Sequence, residues 1–233
     1  MKESRALRRP FLQILIPGAL YAGLFFMRPF WFSPRCAANP TPCSPSGLNG
    51  IDQLALSHAS VFADFCSNVL QNTVGAVAFL LPWILVRPWS NALRLNSSLL
   101  SITLMNAAAL EGVRALIQRP RPQVFAAPLI EGKNIHLYTS FYSGHTSFVA
   151  LASVFTVLWI GAARPDQGLL KKTGLFIALI LTAATGILRV LGGRHFPTDV
   201  MAGALIGAGI SVLYFRKTAA DPPFSAPCRS LQN

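Results

Sequence analysis

Residues 139–163 read TSFYSGHTSFVALASVFTVLWIGAA. From Thr146 onward the run is apolar and close to the ~20 residues a helix needs to cross hydrocarbon. Its mouth is different: a Ser-Gly-His triplet, Ser143 to His145, followed by the hydroxyls of Thr146 and Ser147. A segment entering lipid through such residues points to a helical membrane fold. It also asks what other parts of the chain arrive at the same depth.

The run has company. Of 233 residues, 52% are hydrophobic and 12% charged, and the apolar residues come in blocks instead of alternating with charge. Six blocks read as spans, at 11–27, 69–86, 95–117, 146–163, 174–191 and 200–215. The expected architecture is all-α, a single integral membrane domain over 1–233 with six transmembrane helices. The first block follows MKESRALRRP, but it is long for a signal core, lacks a small-x-small cleavage site and runs into RPFWF. It reads as an uncleaved span with an arginine and aromatics at the interface. Residues 50–66, GIDQLALSHASVFADFC, mix apolar side chains with Asp52, His58 and Asp64. They read as an amphipathic helix in the outer interface, the alternative being an irregular loop. His58 reads as a surface histidine.

The net charge is +12. The basic residues sit at the ends of apolar blocks, with no basic stripe interleaved with aromatics, which argues against nucleic acid as a partner. Most of the 20 Lys and Arg fall in the N-terminal segment, the loops after spans two and four, and the C-terminal tail. The positive-inside rule then puts both termini in the cytoplasm, in a membrane read as the bacterial inner membrane. Cys36 and Cys43 share the first outer loop, RCAANPTPCSPSG. In an oxidising compartment a disulfide between them is open to the chain, two free thiols being the alternative. No Cys/His cluster has metal-ligand spacing, so no metal is expected.

With this topology three polar clusters meet at the outer face: EGVRALIQRPRPQ ending span three, YSGH before span four, and ILRVLGGRHFPTD between spans five and six. Ionisable groups at such depths are functional candidates. Arginine forks suit phosphate oxygens. Ser143 and Gly144, where a helix starts, offer a hydroxyl and free N–H groups to an oxyanion. Two histidines, His145 and His195, suit phosphoryl transfer in which one attacks and the other protonates the leaving oxygen. Asp199, four residues after His195, is placed to fix its tautomer. Glu111, three residues before Arg114, reads as an intrahelical ion pair. Arg119 and Arg194 read either as phosphate ligands or as headgroup anchors.

Together these pieces resemble the type 2 phosphatidic acid phosphatase family, the membrane branch of a superfamily that includes vanadium haloperoxidases. The family pattern is a basic residue, six others and Arg-Pro; then Pro-Ser-Gly-His; then Ser-Arg, five others, His, three others and Asp. Here it is matched by Arg114 with Arg121-Pro122, by Tyr142–His145, and by Arg189, His195 and Asp199. Arg114 stands for the usual lysine, Tyr142 for proline and Leu188 for serine; none of these removes a catalytic atom of the family scheme. The resemblance implies a metal-independent phosphatase with no cofactor. In it His195 is the nucleophile and forms a phosphohistidine, Asp199 orients it, and His145 serves as acid and then base. Arg114, Arg121, Ser143, Gly144 and Arg189 hold the phosphoryl group. The implied substrate is a membrane lipid phosphate or diphosphate, such as undecaprenyl diphosphate, phosphatidylglycerol phosphate, phosphatidic acid or lipid A 1-phosphate, met at the periplasmic face. The rival reading is a non-catalytic lipid-phosphate binder or transporter on the same scaffold.

Overall fold

A computed structural model describes residues 2–32, 44–126 and 135–218. Cys36, Cys43 and the expected disulfide lie outside the described residues. Among those described, the chain is helical and has no strand. Helix α1 (Lys2–Phe26) is followed by the short α2 (Arg28–Trp31). Two short turns, α3 (Gly50–Gln53) and a 3-10 turn (Leu54–Ser57), lead into α4 (Val61–Leu85). Then come α5 (Trp89–Ile117), the short α6 (Pro122–Ala126), α7 (Gly144–Ala163), α8 (Gly168–Leu191) and α9 (Pro197–Thr218).

Helices α1, α4, α5, α7, α8 and α9 cover the six expected apolar blocks, each starting earlier than hydropathy suggested. Polar caps account for two of these starts. Ser60 accepts from the N–H of Ala63 to start α4, and Ser143 accepts from that of Thr146 to start α7, satisfying donors that every helix start leaves orphaned. Five regions are long and apolar enough to cross a membrane: α4, the α5–α6 stretch, α7, α8 and α9. The apolar part of α1, Leu12–Phe26, is shorter. The amphipathic helix expected over 50–66 is not continuous. It breaks at His58–Ser60, and its second half is the first turn of α4.

Helix α7 is the hub, packing against α4, α5, α8 and α9. Leu95, Leu99 and Ile102 of α5 meet Val149, Leu151 and Phe155 of α7 in the core. Helix α9 presses closest. A Cβ added at Gly207 would stand 2.0 Å from the carbonyl oxygen of Ser147, and one at Gly203 2.6 Å from that of Ser143. This is small-residue packing, the way helices approach where lipid gives no hydrophobic drive. Helix α1 lies along α5, where the Ser101 hydroxyl donates to the Gln13 carbonyl at 2.5 Å. The outward faces carry Leu80, Ile84, Phe176, Leu179, Leu205 and Leu213, all exposed, a surface that suits hydrocarbon and not water.

Candidate active site

The N-terminal ends of α4, α7 and α9 and the C-terminal ends of α5 and α8 converge. Backbone bonds join them: Ser60 N–H to the Leu191 carbonyl (3.0 Å), Ser143 N–H to that of Asp199 (3.0 Å), Arg121 N–H to that of Leu137 (2.7 Å) and Ser140 N–H to that of Arg119 (2.9 Å). Gln118 closes α5 in the left-handed region, φ 46°, turning the chain so that Arg119 and Arg121 fold back over the bundle end. Gly193, at φ +65°, closes the turn after α8 against the His58 carbonyl, which a Cβ would meet at 2.4 Å. Only glycine takes such a backbone at little cost.

His195 is buried, and its Nδ1–H donates to the Ser140 carbonyl at 2.8 Å. That leaves the lone pair on Nε2. Asp199 was expected to hold this ring directly, yet its Oδ2 lies 3.8 Å from Nδ1. The carboxylate is already engaged: Oδ2 accepts from the Ser140 hydroxyl (2.6 Å) and the Phe196 N–H (3.0 Å), and Oδ1 from Arg119 (2.5 Å). Ser140 thus fixes the tautomer and Asp199 supplies charge from one step away. Burial pushes the imidazole pKa down to about 3, with Arg121 and Arg189 adding to the depression and Asp199 opposing it. The ring is therefore neutral at any ordinary pH.

His145, at the first turn of α7, is half-buried, and its Nε2 meets Asn68 Oδ1 on α4 at 2.7 Å. Ser143 spends its hydroxyl as the N-cap of α7; the N–H groups of Gly144 and His145 have no intrahelical partner by helix geometry. A Cβ at Gly144 would reach Leu110 at 2.8 Å and Arg114 Nη2 at 3.8 Å. Tyr142, in the place of the family proline, is fully buried and donates to Asn106, which also takes the Ser147 hydroxyl at 2.7 Å. Burial holds its phenol up at about 12, so it remains a donor.

The arginines divide into two groups. Arg119 is structural. It bonds Asp199, Asp52 (2.6 Å) and Thr198 (2.8 Å), and its guanidinium stacks 4.2 Å from the Phe196 ring centroid. Arg194, the more exposed, pairs with Asp64 at 2.8 Å. Arg119 is thus committed to internal ion pairs, while Arg194, paired with Asp64, stays partly exposed. Glu111 does pair with Arg114, at 2.9 Å, and also binds Arg28 across from the end of α1. In the second group, Arg114, Arg121 and Arg189 each keep a buried Nε with no hydrogen-bond partner among the described residues. Arg189 is tied by Nη1 to Asp64 (2.5 Å) and Ser67 (3.2 Å). Among the described residues Arg121 pairs with no carboxylate, and its Nη1 has a weak 3.4 Å bond to the Arg194 carbonyl. Sealed donors of this kind are costly unless something arrives to accept from them, and a tetrahedral oxyanion has the oxygens to do so.

Sequence reasoning missed Asp52, Asp64, Asn68, Asn106 and Ser140. Asp52 and Asp64 were read as the polar face of an interfacial helix. The available signal was their excess: two carboxylates among few in the chain, upstream of unpaired arginines.

A family model described as the PAP2 superfamily matches residues 92–221. Lipid phosphate phosphatase 1 of Arabidopsis thaliana is 28% identical over 145 residues, 53% of this chain and 44% of that protein. A Drosophila melanogaster protein provisionally named a phosphatidate phosphatase is 36% identical over 84 residues, 35% of this chain and 22% of that one. An uncharacterized 22.5 kDa protein of the Klebsiella pneumoniae cps region is 33% identical over 85 residues, 35% of this chain and 40% of that one. The chain spans less than half the length of each of these relatives. No solved structure matches it.

Proposed function

Since the chain belongs to the PAP2 superfamily, we propose that it is a membrane lipid phosphatase working through a phosphohistidine on His195. The observation that carries this reading is the arginine trio, whose buried Nε donors lack partners among the described residues. Around the same bundle end stand a neutral imidazole with a free Nε2 and a second imidazole at a helix start.

The steps follow from those positions. Arg114, Arg121 and Arg189, with the free N–H groups at the start of α7, hold the phosphoryl oxygens and stabilise the charge that spreads over them in the transition state. The Nε2 lone pair of His195 attacks phosphorus as the bond to the leaving oxygen breaks. The departing oxygen takes a proton from the His145 imidazolium. Water then attacks phosphorus and gives its proton to His145. The P–N electrons return to His195, and phosphate leaves. The Ser140 carbonyl and the nearby Asp199 carboxylate offset the positive charge on His195 while it carries the phosphoryl group.

Helices α8 and α9 enclose an apolar groove of about 420 Å³, lined by Leu179, Ala183, Ile187, Met201 and Ala204 and reaching Thr146 and Pro197, neighbours in sequence of the two histidines. It suits a lipid tail whose head is in the site. We read α1 as a sixth span, which puts both termini on one side and the site on the other, in a bacterium the periplasm. The lipid phosphates and diphosphates named above are the candidate substrates.

Phosphate release by the purified protein in detergent, with chelator present, tests the reading across phosphatidic acid, phosphatidylglycerol phosphate, undecaprenyl diphosphate and lipid A 1-phosphate. Release from at least one is expected, with His195→Ala slower by roughly 10³-fold or more. A His195→Ala protein as fast as wild type overturns the mechanism. A wild type that binds these lipids and releases nothing favours the transporter.

A further inference from the structure

The proposed chemistry gives His145 two duties and places it at the bare start of a helix, where a ring is free to turn. What holds it comes from α4, outside the three motifs and outside the residues matched by the family model. Asp64, Ser67 and Asn68 fall on one face of α4, three and four residues apart. Asp64 and Ser67 engage Arg189, and the Ser67 hydroxyl also donates back to the Asp64 carbonyl at 2.7 Å. Asn68, one turn after Asp64, reaches past them to His145 Nε2 at 2.7 Å through Oδ1.

We propose that Asn68 is a positioning residue for the acid–base histidine, its amide oxygen holding the Nε2–H of His145 so that Nδ1 carries the proton traffic. The inference rests on the phosphatase reading. An amide oxygen can only accept, so the nitrogen facing it keeps its proton in both the neutral and the charged ring. In the neutral ring the lone pair is therefore on Nδ1. In the imidazolium Nδ1 gains the second proton while the bond to Asn68 persists and strengthens with charge. The acid step passes the Nδ1 proton to the leaving oxygen, and the base step returns one from water to Nδ1. Nε2 never exchanges. Without the amide the proton is free to settle on either nitrogen, and only one ring orientation serves both steps.

Leaving groups separate positioning from mere support. A long-chain alkyl phosphate leaves as a poor alkoxide and needs the proton; a matched nitrophenyl phosphate leaves without it. Formation of the phosphoenzyme governs kcat/KM for both. Asn68→Ala should lower kcat/KM for the alkyl ester by roughly 30-fold and for the nitrophenyl ester far less, the same split as His145→Ala. Asn68→Asp keeps an acceptor and should recover most of the alkyl activity. In wild type labelled with ¹⁵N-histidine, the His145 resonances should show the Nε2-protonated tautomer, a pattern lost in Asn68→Ala. Equal losses on both esters, or no loss on either, overturn the proposal, as does an Nδ1-protonated ring. A wild type inert on both esters instead overturns the phosphatase reading, and the ¹⁵N pattern still decides the hydrogen bond.

Discussion

One carboxylate, Asp64, serves two guanidiniums, and it decides how Arg189 is presented. Arg189 is almost wholly buried, and its Nη1 is held at 2.5 Å. Asp64→Asn removes the charge that compensates it. Breaking a buried pair on one side leaves an uncompensated ion, at a cost on the order of 3 kcal/mol, so a lower melting temperature in detergent and a raised KM are expected together. His195 gives a second expectation. In the unfolded chain its pKa is 6.5 and in the folded protein about 3. Between those values the unfolded chain holds the extra proton. Stability from this group is thus full above about pH 6.5 and falls as the solution is acidified, by about 2 kcal/mol at pH 5. Thermal unfolding of wild type against His195→Asn at pH 7.5 and pH 5 measures it: the variant should lose less on acidification. At this scale the motif residues were legible because their spacing is short-range. Asp64 and Asn68 were not, because their partners lie 125 and 77 residues away and nothing local distinguishes them from the polar face of a surface helix.

Among the elements, the contact between α7 and α9 is the least forgiving. A Cβ at Gly207 would meet the Ser147 carbonyl at 2.0 Å, while nothing lies within 4 Å of one at Gly209. Gly207→Ala should separate the two helices and lose most of the folded, active protein in size-exclusion profiles. Gly209→Ala should be tolerated, and at this partly buried helical position with room for a methyl group could gain up to about 1 kcal/mol from helix propensity. The groove between α8 and α9 yields a graded expectation. Filling it with Ala204→Trp should shorten the preferred lipid chain, with kcat/KM falling for long-chain substrates and holding for short-chain ones. Hydropathy located these helices because lipid-facing side chains must be apolar whatever they pack against. It misplaced the starts of α4 and α7 because those helices begin where a side chain caps them, and Ser60 and Ser143 are not apolar. The broken segment 50–66 escaped for a related reason: Asp52 and Asp64 turn inward to different arginines, and no single helix face could supply both.

For the molecule as a whole, the number of crossings is the open architectural quantity, and α1 decides it. Reporter fusions at the two termini should fall on the same side of the membrane if α1 crosses; reporters on opposite sides would mean five crossings. The tie between Arg28 and Glu111 joins α2, just past the end of α1, to the Arg114 end of α5, so Arg28→Ala should weaken phosphate release without touching substrate. The convergence of the three clusters was readable as soon as alternating spans were assumed, since alternation alone brings them to one face. The cross-links that lock them were not. Arg119 joins Asp52, ahead of α4, to Asp199 in α9, which stands 147 positions after Asp52. Arg189, His195 and Asp199 stand close together in sequence, well after Arg114 and Arg121. On the proposed chemistry, a polypeptide cut after α7 would keep two guanidiniums of the cradle and have neither the third nor the imidazole that attacks.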